Sequence, residues 1–339
     1  MVLLGIQADA ECTLPPEMEV CGLPNISTRL VAANWDFFAD FFVWYASEET
    51  SSSWANVITT KITHTGIFDT FKAEPAPFDW DFGFRIGGGY NFEYDQWDSQ
   101  LYWTWFRTQA DENIPSADHS ILPEFYGSFI NGDIAQSAKL KWHLHYNMFD
   151  WELGRSYWVS KGLSLRPFIG VKGGWINQSI DSNWQVKTQL SPTFPFPITV
   201  DYSSTENLKN NFWGAGPSGG INTKWNLGNS CARFVSLFGD FSAATMWGTW
   251  HCKDVYNNST PKEYSVNMKN ANLGALMLRG FLGIGWDADF NRGCGHFSTR
   301  VGYEMQIWFN QLRLPTFQLL RLHGDLTFQG GTFNFRFDY

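Results

Sequence analysis

The feature that most constrains the fold of this chain is a strict two-residue alternation of apolar and polar side chains. From Trp80 the sequence reads WDFGFRIGGGYNFE, with aromatic or aliphatic residues at nearly every even position and Asp, Gly, Arg, Asn and Glu at the odd positions. In an extended strand this period separates one apolar face from one polar face. The same alternation resumes after a predicted tight turn at 93–96 and returns in several segments up to the carboxyl terminus.

Two architectures share this pattern: a soluble β-sandwich with its apolar face inward, and a transmembrane β-barrel with its apolar face toward lipid. Three observations favour the barrel. The predicted strands run to about 12–20 residues, whereas strands of soluble proteins usually have about 5–6. Trp and Tyr gather near the strand ends, as at a membrane interface. The polar face carries ionisable groups of both signs, which suits a hydrated interior.

The composition agrees with strands that have one face toward lipid and the other toward water. Aromatic residues make up 18% of the 339 residues, charged residues only 17%, and the formal net charge is −9. No stretch approaches the roughly 20 uninterrupted apolar residues of a membrane helix. A negatively charged chain without a basic run is poorly suited to nucleic acid, whose phosphates are neutralised by Lys and Arg. We therefore expect outer-membrane lipid as a partner, no nucleic acid and no cofactor.

Connections between the predicted strands alternate between short and long, as periplasmic turns and outer loops do in bacterial barrels. The short ones are predicted at 93–96, 160–162, 227–230 and 291–295, and the long ones at 109–135, 177–206, 252–272 and 314–322. This pattern predicts an all-β, antiparallel transmembrane barrel of about ten strands with both termini periplasmic. Two further strands within 54–71 would make twelve. A change of polar face near 147–149 predicts a bulge there, and Gly330 and Gly331 lie at a similar change.

The amino terminus predicts export. Residues 1–10, MVLLGIQADA, contain a short apolar core followed by a small-x-small motif at Ala8 to Ala10. A complete signal peptide would also have a basic segment and a longer apolar segment. We expect residues 1–10 to be a truncated signal-peptide remnant, 11–34 a periplasmic segment and 35–339 the outer-membrane barrel.

The polar face supplies the candidate pore-lining residues, which are Asp81, Arg85, Lys139, Lys141, Arg166, Lys172, Asp240, Arg279, Arg300 and Glu304. Because a ten-stranded barrel has a small interior, two alternatives remain open. These charges line a conducting pore, or they pair across the lumen and fill it. His143 and His145 share the predicted face of Lys139 and Lys141, so we expect a basic wall there and no metal site.

Aromatic residues near the strand ends are predicted to form the interfacial girdle. The candidates are Trp80, Trp103, Trp105, Trp142, Phe333, Phe335, Phe337 and Tyr339.

The five cysteines are too few for a disulfide scaffold, and their odd number leaves at least one without an internal partner. Cys12, Cys21, Cys231 and Cys294 are predicted on the periplasmic side, where an oxidising compartment permits disulfides. One hypothesis is a Cys12–Cys21 bond that closes a small amino-terminal loop.

Two short motifs imitate sites of other folds. Residues 214–219 match G-x-G-x-x-G and residues 216–220 match G-x-S-x-G, but each motif requires a following helix. Here a strand pattern follows, so we interpret the glycines as serving a tightly curved strand. His251 and Asp254 are the only acid–base candidates close in sequence, and we expect no enzymatic activity.

Several ordered segments carry a family resemblance: WDFFADFFVWYASEE at 35–49, FDWDFGFRIGGGYNF at 78–92, WDSQLYWTWF at 97–106, WELGRSYWVSKGLSLRPFIGVKGGWI at 151–176, FWGAGPSGGINTKWNLG at 212–228, VGYEMQIWFNQ at 301–311 and the terminal GDLTFQGGTFNFRFDY. Over roughly 35–339 the chain resembles the Legionella-type major outer membrane proteins and their counterparts in chlamydia-related bacteria. The resemblance implies an outer-membrane barrel with porin-like or envelope-structural duty. It also implies that the terminal Phe-x-Phe-x-Tyr pattern is read by the barrel-insertion machinery, and it suggests cysteine cross-links to other envelope proteins.

The expected function is passive diffusion of small hydrophilic solutes through a porin-like barrel that also contributes to envelope structure. The alternative is a non-conducting surface adhesin or structural barrel that acts through its outer loops. Disulfide-linked envelope proteins and further copies of the chain are candidate partners.

Overall fold

The alternating segments fold into long antiparallel strands. The structure is a computed structural model, and it describes residues 35–49, 53–64, 66–92, 95–117, 119–123, 135–160, 162–189, 199–227, 234–259, 262–290, 295–314 and 322–338. The strands are β1 (Trp35–Glu48), β2 (Ala55–Thr63), β3 (Gly66–Glu74), β4 (Trp80–Asn91), β5 (Trp97–Ile114), β6 (Ser120–Pro123), β7 (Ala135–Arg155), β8 (Tyr157–Trp158), β9 (Leu163–Gln189), β10 (Thr199–Asn226), β11 (Phe234–Asn258), β12 (Lys262–Phe290), β13 (Gly295–Leu314) and β14 (Leu322–Asp338). Within these ranges no helix is long and apolar enough to cross a membrane.

Ten of the described strands close into a barrel. Around the ring the order is β1, β4, β5, β7, β9, β10, β11, β12, β13 and β14, and β14 pairs with β1 to complete it. The predicted count of ten is therefore confirmed. Strands do form within 54–71, as the twelve-strand alternative required, but β2 and β3 make a hairpin that joins the edge of β6 and does not enter the ring.

The strands are longer than the sequence pattern predicted. The expected outer loops at 177–206 and 252–272 are largely strand, since β9 continues to Gln189, β10 starts at Thr199, and β11 and β12 flank the short gap at 260–261. The barrel consequently extends well beyond the apolar band on its outside.

The outside of the barrel changes from apolar to polar partway along the strands. On β9 the outward residues run from Leu163 to Trp175 and are apolar, and from Asn177 onward they are polar. On β10 the change falls between Trp213 and Asn211. We call the part with the apolar exterior the lower barrel; the short connections between strands lie at its end. We call the part with the polar exterior the upper barrel. Short connections mark the periplasmic end of such barrels, so the upper barrel points away from the cell.

The interior changes in the opposite sense. In the lower barrel the inward positions carry ionisable groups such as Arg85 and Glu304, whereas in the upper barrel they carry large apolar side chains. Trp142, Trp184 and Trp250 are fully buried there. The upper barrel is thus built like a soluble β-barrel, and the lower barrel like a membrane one.

The predicted bulge at 147–149 is wrong. Strand β7 alternates without interruption from Ala138 to Gly154 and pairs in continuous register with β9 over that span. Near 147–149 the surroundings on each side of the barrel wall change. Polar side chains therefore move from the outer face to the inner face of the strand, while the backbone keeps its regular alternation. The same holds at Gly330 and Gly331, which keep their register with β1. The register shift in β7 lies instead between Ala135 and Ser137.

We expect Trp142→Ala to destabilise the barrel by about 3–5 kcal/mol, because it removes a fully buried indole and leaves a cavity. The indole also donates a hydrogen bond from Nε1 to Gln178 Oε1 at 3.0 Å. Unfolding of the refolded protein by guanidinium in detergent micelles would measure the loss. Trp80→Ala is the matched control, because Trp80 is 56% exposed on the outside. Equal losses in the two variants would contradict an apolar core in the upper barrel.

Candidate functional site in the barrel interior

An ion-pair cluster crosses the lumen of the lower barrel. Glu304 on β13 accepts hydrogen bonds from Arg85 on β4, Nη2 to Oε1 at 2.8 Å, and from Arg279 on β12, Nε to Oε1 at 2.6 Å. Arg85 also donates through Nη1 to Asp40 Oδ2 at 2.6 Å. We call Asp40, Arg85, Arg279 and Glu304 the ionic layer. Asp40 and Arg85 are register partners on β1 and β4, while Glu304 reaches Arg85 from a strand that is not its neighbour.

Further ion pairs surround the ionic layer. Arg166 bonds Asp98 at 2.5 Å and Glu152 at 2.9 Å, Lys172 bonds Asp150 at 2.5 Å, and Lys224 bonds Asp287 at 2.6 Å. Arg336 pairs with Asp36 and with Asp338. Nearly every cation of the described lower interior therefore has a carboxylate partner from another strand. Buried charges are stable only when they are paired in this way.

A small polar cavity remains among these groups. It has a volume of about 110 Å³, which is room for several water molecules. Its lining includes the guanidinium groups of Arg85, Arg166, Arg279, Arg300 and Arg336.

An aromatic layer lies across the lumen next to the ionic layer. It consists of Phe42, Trp44, Phe106, Tyr146 and Phe328, each at most 1% exposed. Phe42 stacks on Trp44 with ring centroids 3.7 Å apart, and Phe328 lies 5.0 Å from Tyr146 and 5.4 Å from Phe106. The Tyr146 hydroxyl donates to Gln306 Oε1 at 3.2 Å, and Gln306 Nε2 donates to Glu304 Oε1 at 2.9 Å, which ties the two layers together.

Most predicted pore-lining residues do face the interior. Arg85, Lys172 and Glu304 are buried there, and the partly buried members of this set are Asp81, Arg166, Asp240, Arg279 and Arg300. The described side chains pair opposite charges across the lumen.

The inward orientation predicted for Lys139 and Lys141 is wrong. Both are exposed on the outside of β7, as are the partly exposed His143 and His145. The prediction assumed that polar side chains always face the lumen, but these residues belong to the upper barrel, where polar side chains face water outside. Trp142 is likewise not a girdle residue, because it lies inside the upper barrel.

The remaining girdle candidates face outward. Trp80, Phe333, Phe335 and Phe337 are exposed, and Trp103 and Trp105 are partly exposed on the same side. Tyr339, Cys12, Cys21, Cys231 and Cys294 lie outside the described residues, so the insertion signal and the disulfides stay predictions. The fifth cysteine, Cys252, is buried and free.

Pattern alone did not reveal several residues that complete the interior. Asp36, Asp98 and Arg336 form ion pairs, and the aromatic layer lies across the lumen, but neither set was predicted as a site. The two-residue alternation does place Phe42 on the same strand face as Asp40, so the inward position of Phe42 could have been predicted. Only the pairing register shows that these side chains meet across the lumen.

The other sequence motifs form no catalytic site. His251 faces outward and Asp254 inward, so the two side chains lie on opposite sides of the wall of β11. The glycines at 214–220 lie within β10, which continues as a strand, as predicted. An added Cβ at Gly216 would lie 2.1 Å from the carbonyl oxygen of Thr245, so a glycine is required for this close approach of β10 and β11.

Two carboxyl groups lie together in the upper interior. Glu206 and Asp254 are at most 1% exposed, and no donor from any other described residue bonds their carboxylate oxygens, so the two carboxyl groups interact with each other. Burial raises the pKa of Asp254 to about 7, and burial with the nearby Asp254 charge raises the pKa of Glu206 as well. Both groups therefore favour holding a proton in the folded barrel.

Because of this carboxyl pair, we expect the unfolding free energy of the barrel to fall as the pH rises. Because the pKa of Asp254 is about 3.8 in a free side chain and about 7 when folded, its stabilising contribution is full below about pH 4 and is lost as the pH passes 7. We expect Asp254→Asn to remove roughly 1–3 kcal/mol of the difference in unfolding free energy between pH 5 and pH 8. Denaturant unfolding at both pH values measures it. Asp111→Asn, on the exposed outside of β5, is the control, and an unchanged pH dependence in Asp254→Asn would contradict the prediction.

The ionic layer should contribute to the unfolding free energy of the barrel. Glu304→Gln leaves Arg85 and Arg279 buried with one carboxylate fewer, so we expect a loss of about 3–5 kcal/mol. Arg155→Gln removes an exposed ion pair with Asp95 and should cost little stability, because water screens that pair. Unfolding in micelles compares the two variants. A similar small loss in both would show that the ionic layer does not hold the lower barrel together.

The chain shows low similarity to several solved structures. The outer membrane protease OmpT from Escherichia coli is 9% identical, with a TM-score of 0.31 over 91% of this chain and 97% of that one. The Pseudomonas putida toluene transporter TodX is 7% identical, with a TM-score of 0.26 over 90% of each chain. A Pseudomonas aeruginosa FadL homologue is 9% identical, with a TM-score of 0.28 over 91% of this chain and 90% of that one.

A search among curated proteins finds no match. The family model described as the Legionella pneumophila major outer membrane protein precursor matches residues 30–339. A match over nearly the whole chain, on a ten-stranded antiparallel barrel with an apolar exterior band, shows that this protein belongs to the Legionella major outer membrane protein family and is integral to the outer membrane.

Proposed function

We propose that the protein is a structural barrel of the outer membrane, closed to solutes at rest, that stiffens the envelope and presents its upper barrel at the cell surface. The observation that carries this proposal is the pair of layers across the lumen. The ionic layer and the aromatic layer are joined through Gln306, and their side chains are buried.

The two layers resist opening for different reasons. Separating Glu304 from its arginines would leave charges buried without partners, at a cost of about 3–5 kcal/mol. Moving the aromatic rings aside would break their stacking and expose large apolar surfaces, since each ring buries about 150–250 Å². A thermal fluctuation that opens both layers at once is therefore rare.

Porin-like diffusion of small hydrophilic solutes is the second candidate. The observation that favours it is the polar cavity of about 110 Å³, which is lined by five arginines. This function requires an alternative arrangement of the aromatic layer. If such a state conducts, the guanidinium groups favour anions over cations.

The proposed role is not catalytic. The acid–base candidates His251 and Asp254 face opposite sides of the barrel wall, and the described residues hold no cluster of three or more metal-ligating side chains. A direct assay of hydrolytic activity tests this part of the proposal.

Conductance in planar bilayers separates the two functions. We expect the refolded wild-type protein to show no steady channels, and the double variant Phe42→Ala with Phe328→Ala to raise the conductance, because it thins the aromatic layer. Trp80→Ala, on the outside, should behave as wild type. Steady wild-type channels whose anion preference falls in Arg85→Glu would reject the structural proposal and establish the porin function.

A further inference from the structure

The outside of the described lower barrel carries an apolar groove. It lies over β7, β9 and β10 and has a volume of about 460 Å³. Its floor is formed by Gly173 and Ala215, which are register partners, and its walls include Phe149, Trp151, Trp175 and Trp213. These four aromatic side chains are 41–59% exposed, so the groove opens outward toward lipid.

The groove exists because small residues meet at its floor while its walls are held in place. A Cβ added at Gly173 would lie 3.2 Å from Cβ of Ala215, which shows how close the two strands come there. The Trp151 indole donates from Nε1 to Ser99 Oγ at 3.0 Å, and the rings of Phe149 and Trp175 lie 6.1 Å apart. An apolar groove that opens laterally toward lipid suits an acyl chain.

Basic residues lie just above this groove, on the outside of the upper barrel. The first outward row in register is Arg107, His145, Asn177, Asn211 and His251, and the second is Gln109, His143, Ser179, Lys209 and Lys253. We call these two rows, from β5 to β11, the basic rows. They contain no carboxylate. The nearest acidic residues on the same face, Asp111 and Asp181, lie one row further from the membrane.

The basic rows place like charges opposite each other. Lys209 and Lys253 are direct register partners, and like charges in that position repel. Arg107 is the partner of His145, and the pKa of His145 is lowered by partial burial and by the positive charges of Arg107 and His143. Among the ion pairs of the described ranges, none includes Arg107, Lys209 or Lys253. An anion bound between these side chains would reduce the repulsion between their positive charges.

We propose that the groove and the basic rows together bind one phosphorylated, multiply acylated lipid of the outer leaflet, with an acyl chain in the groove and its phosphates on Lys209, Lys253 and Arg107. The geometry suits this ligand. Lys209 lies two same-face steps beyond Trp213, about 13 Å along the strand, and its stem can reach back toward the interface. This inference is independent of whether the lumen conducts.

A second copy of the chain fits the same groove less well. All copies in one membrane have the same orientation, so their basic rows lie at the same height. An interface centred on the groove would bring two sets of unpaired cations together, and like-charge contacts oppose association. A lipid phosphate, by contrast, neutralises them.

Native mass spectrometry of the full chain in a zwitterionic detergent tests the proposal. The added probes are lipid A with two phosphates and, separately, phosphatidylethanolamine. We expect lipid A to be retained about tenfold or more over phosphatidylethanolamine. Lys209→Gln with Lys253→Gln should weaken lipid A retention about twenty-five-fold, since each basic residue at an anionic surface contributes about fivefold. Ala215→Phe, which fills the groove from outside, should also weaken it.

Lys141→Gln is the matched control, because Lys141 lies on the same outer face but directly opposite both Asp111 and Asp181. It should change retention less than twofold. Heat-modifiable migration on gels verifies that each variant is folded. Equal weakening by Lys141→Gln, no preference for lipid A, or a protein dimer that Ala215→Phe converts to monomer would each overturn the proposal.

Discussion

Closure of the hydrogen-bond ladder between β1 and β14 is the constraint on which the rest of the structure depends. In lipid an unpaired backbone N–H or C=O costs several kcal/mol, so an open sheet edge is excluded and the ten strands must form a ring. A ring of ten strands has a narrow lumen. The inward side chains must therefore meet in the middle, and the ionic layer and the aromatic layer are two ways of filling the same narrow space. Closure thus determines what the interior can do.

The same strands serve two solvents without any change in backbone register. In the lower barrel the wall separates lipid from a polar interior, and in the upper barrel it separates water from an apolar interior. On β9 the exchange takes place within one pair of residues, where outward Trp175 is followed by outward Asn177 and inward Ile176 lies between them. The family match and the apolar band agree on the outer membrane as the location of the lower barrel.

Much of the fold could be predicted from the sequence because alternation is a local property of a strand. It gave the barrel, the ten strands and the inward positions of Arg85, Arg166 and Glu304. The errors at Lys139, Lys141 and Trp142 share one cause, since alternation tells which residues share a face but not which solvent that face meets. The pairing of Glu304 with Arg85, 219 residues away, depends on closure of the ring and could not be read from any single strand.

The boundary between the two exteriors also determines how deep the protein sits in the membrane. If the barrel sank by one same-face residue, Arg107 and His145 would approach the hydrocarbon, where the cost of a charged side chain such as Arg107 rises from about 0–1 kcal/mol near the interface to about 2–4 kcal/mol at the midplane. If it rose by one, Trp175 and Trp213 would leave the lipid interface for water. Side chains around the circumference, from β5 to β11, therefore hold the barrel at one depth, independently of the charges that close its interior.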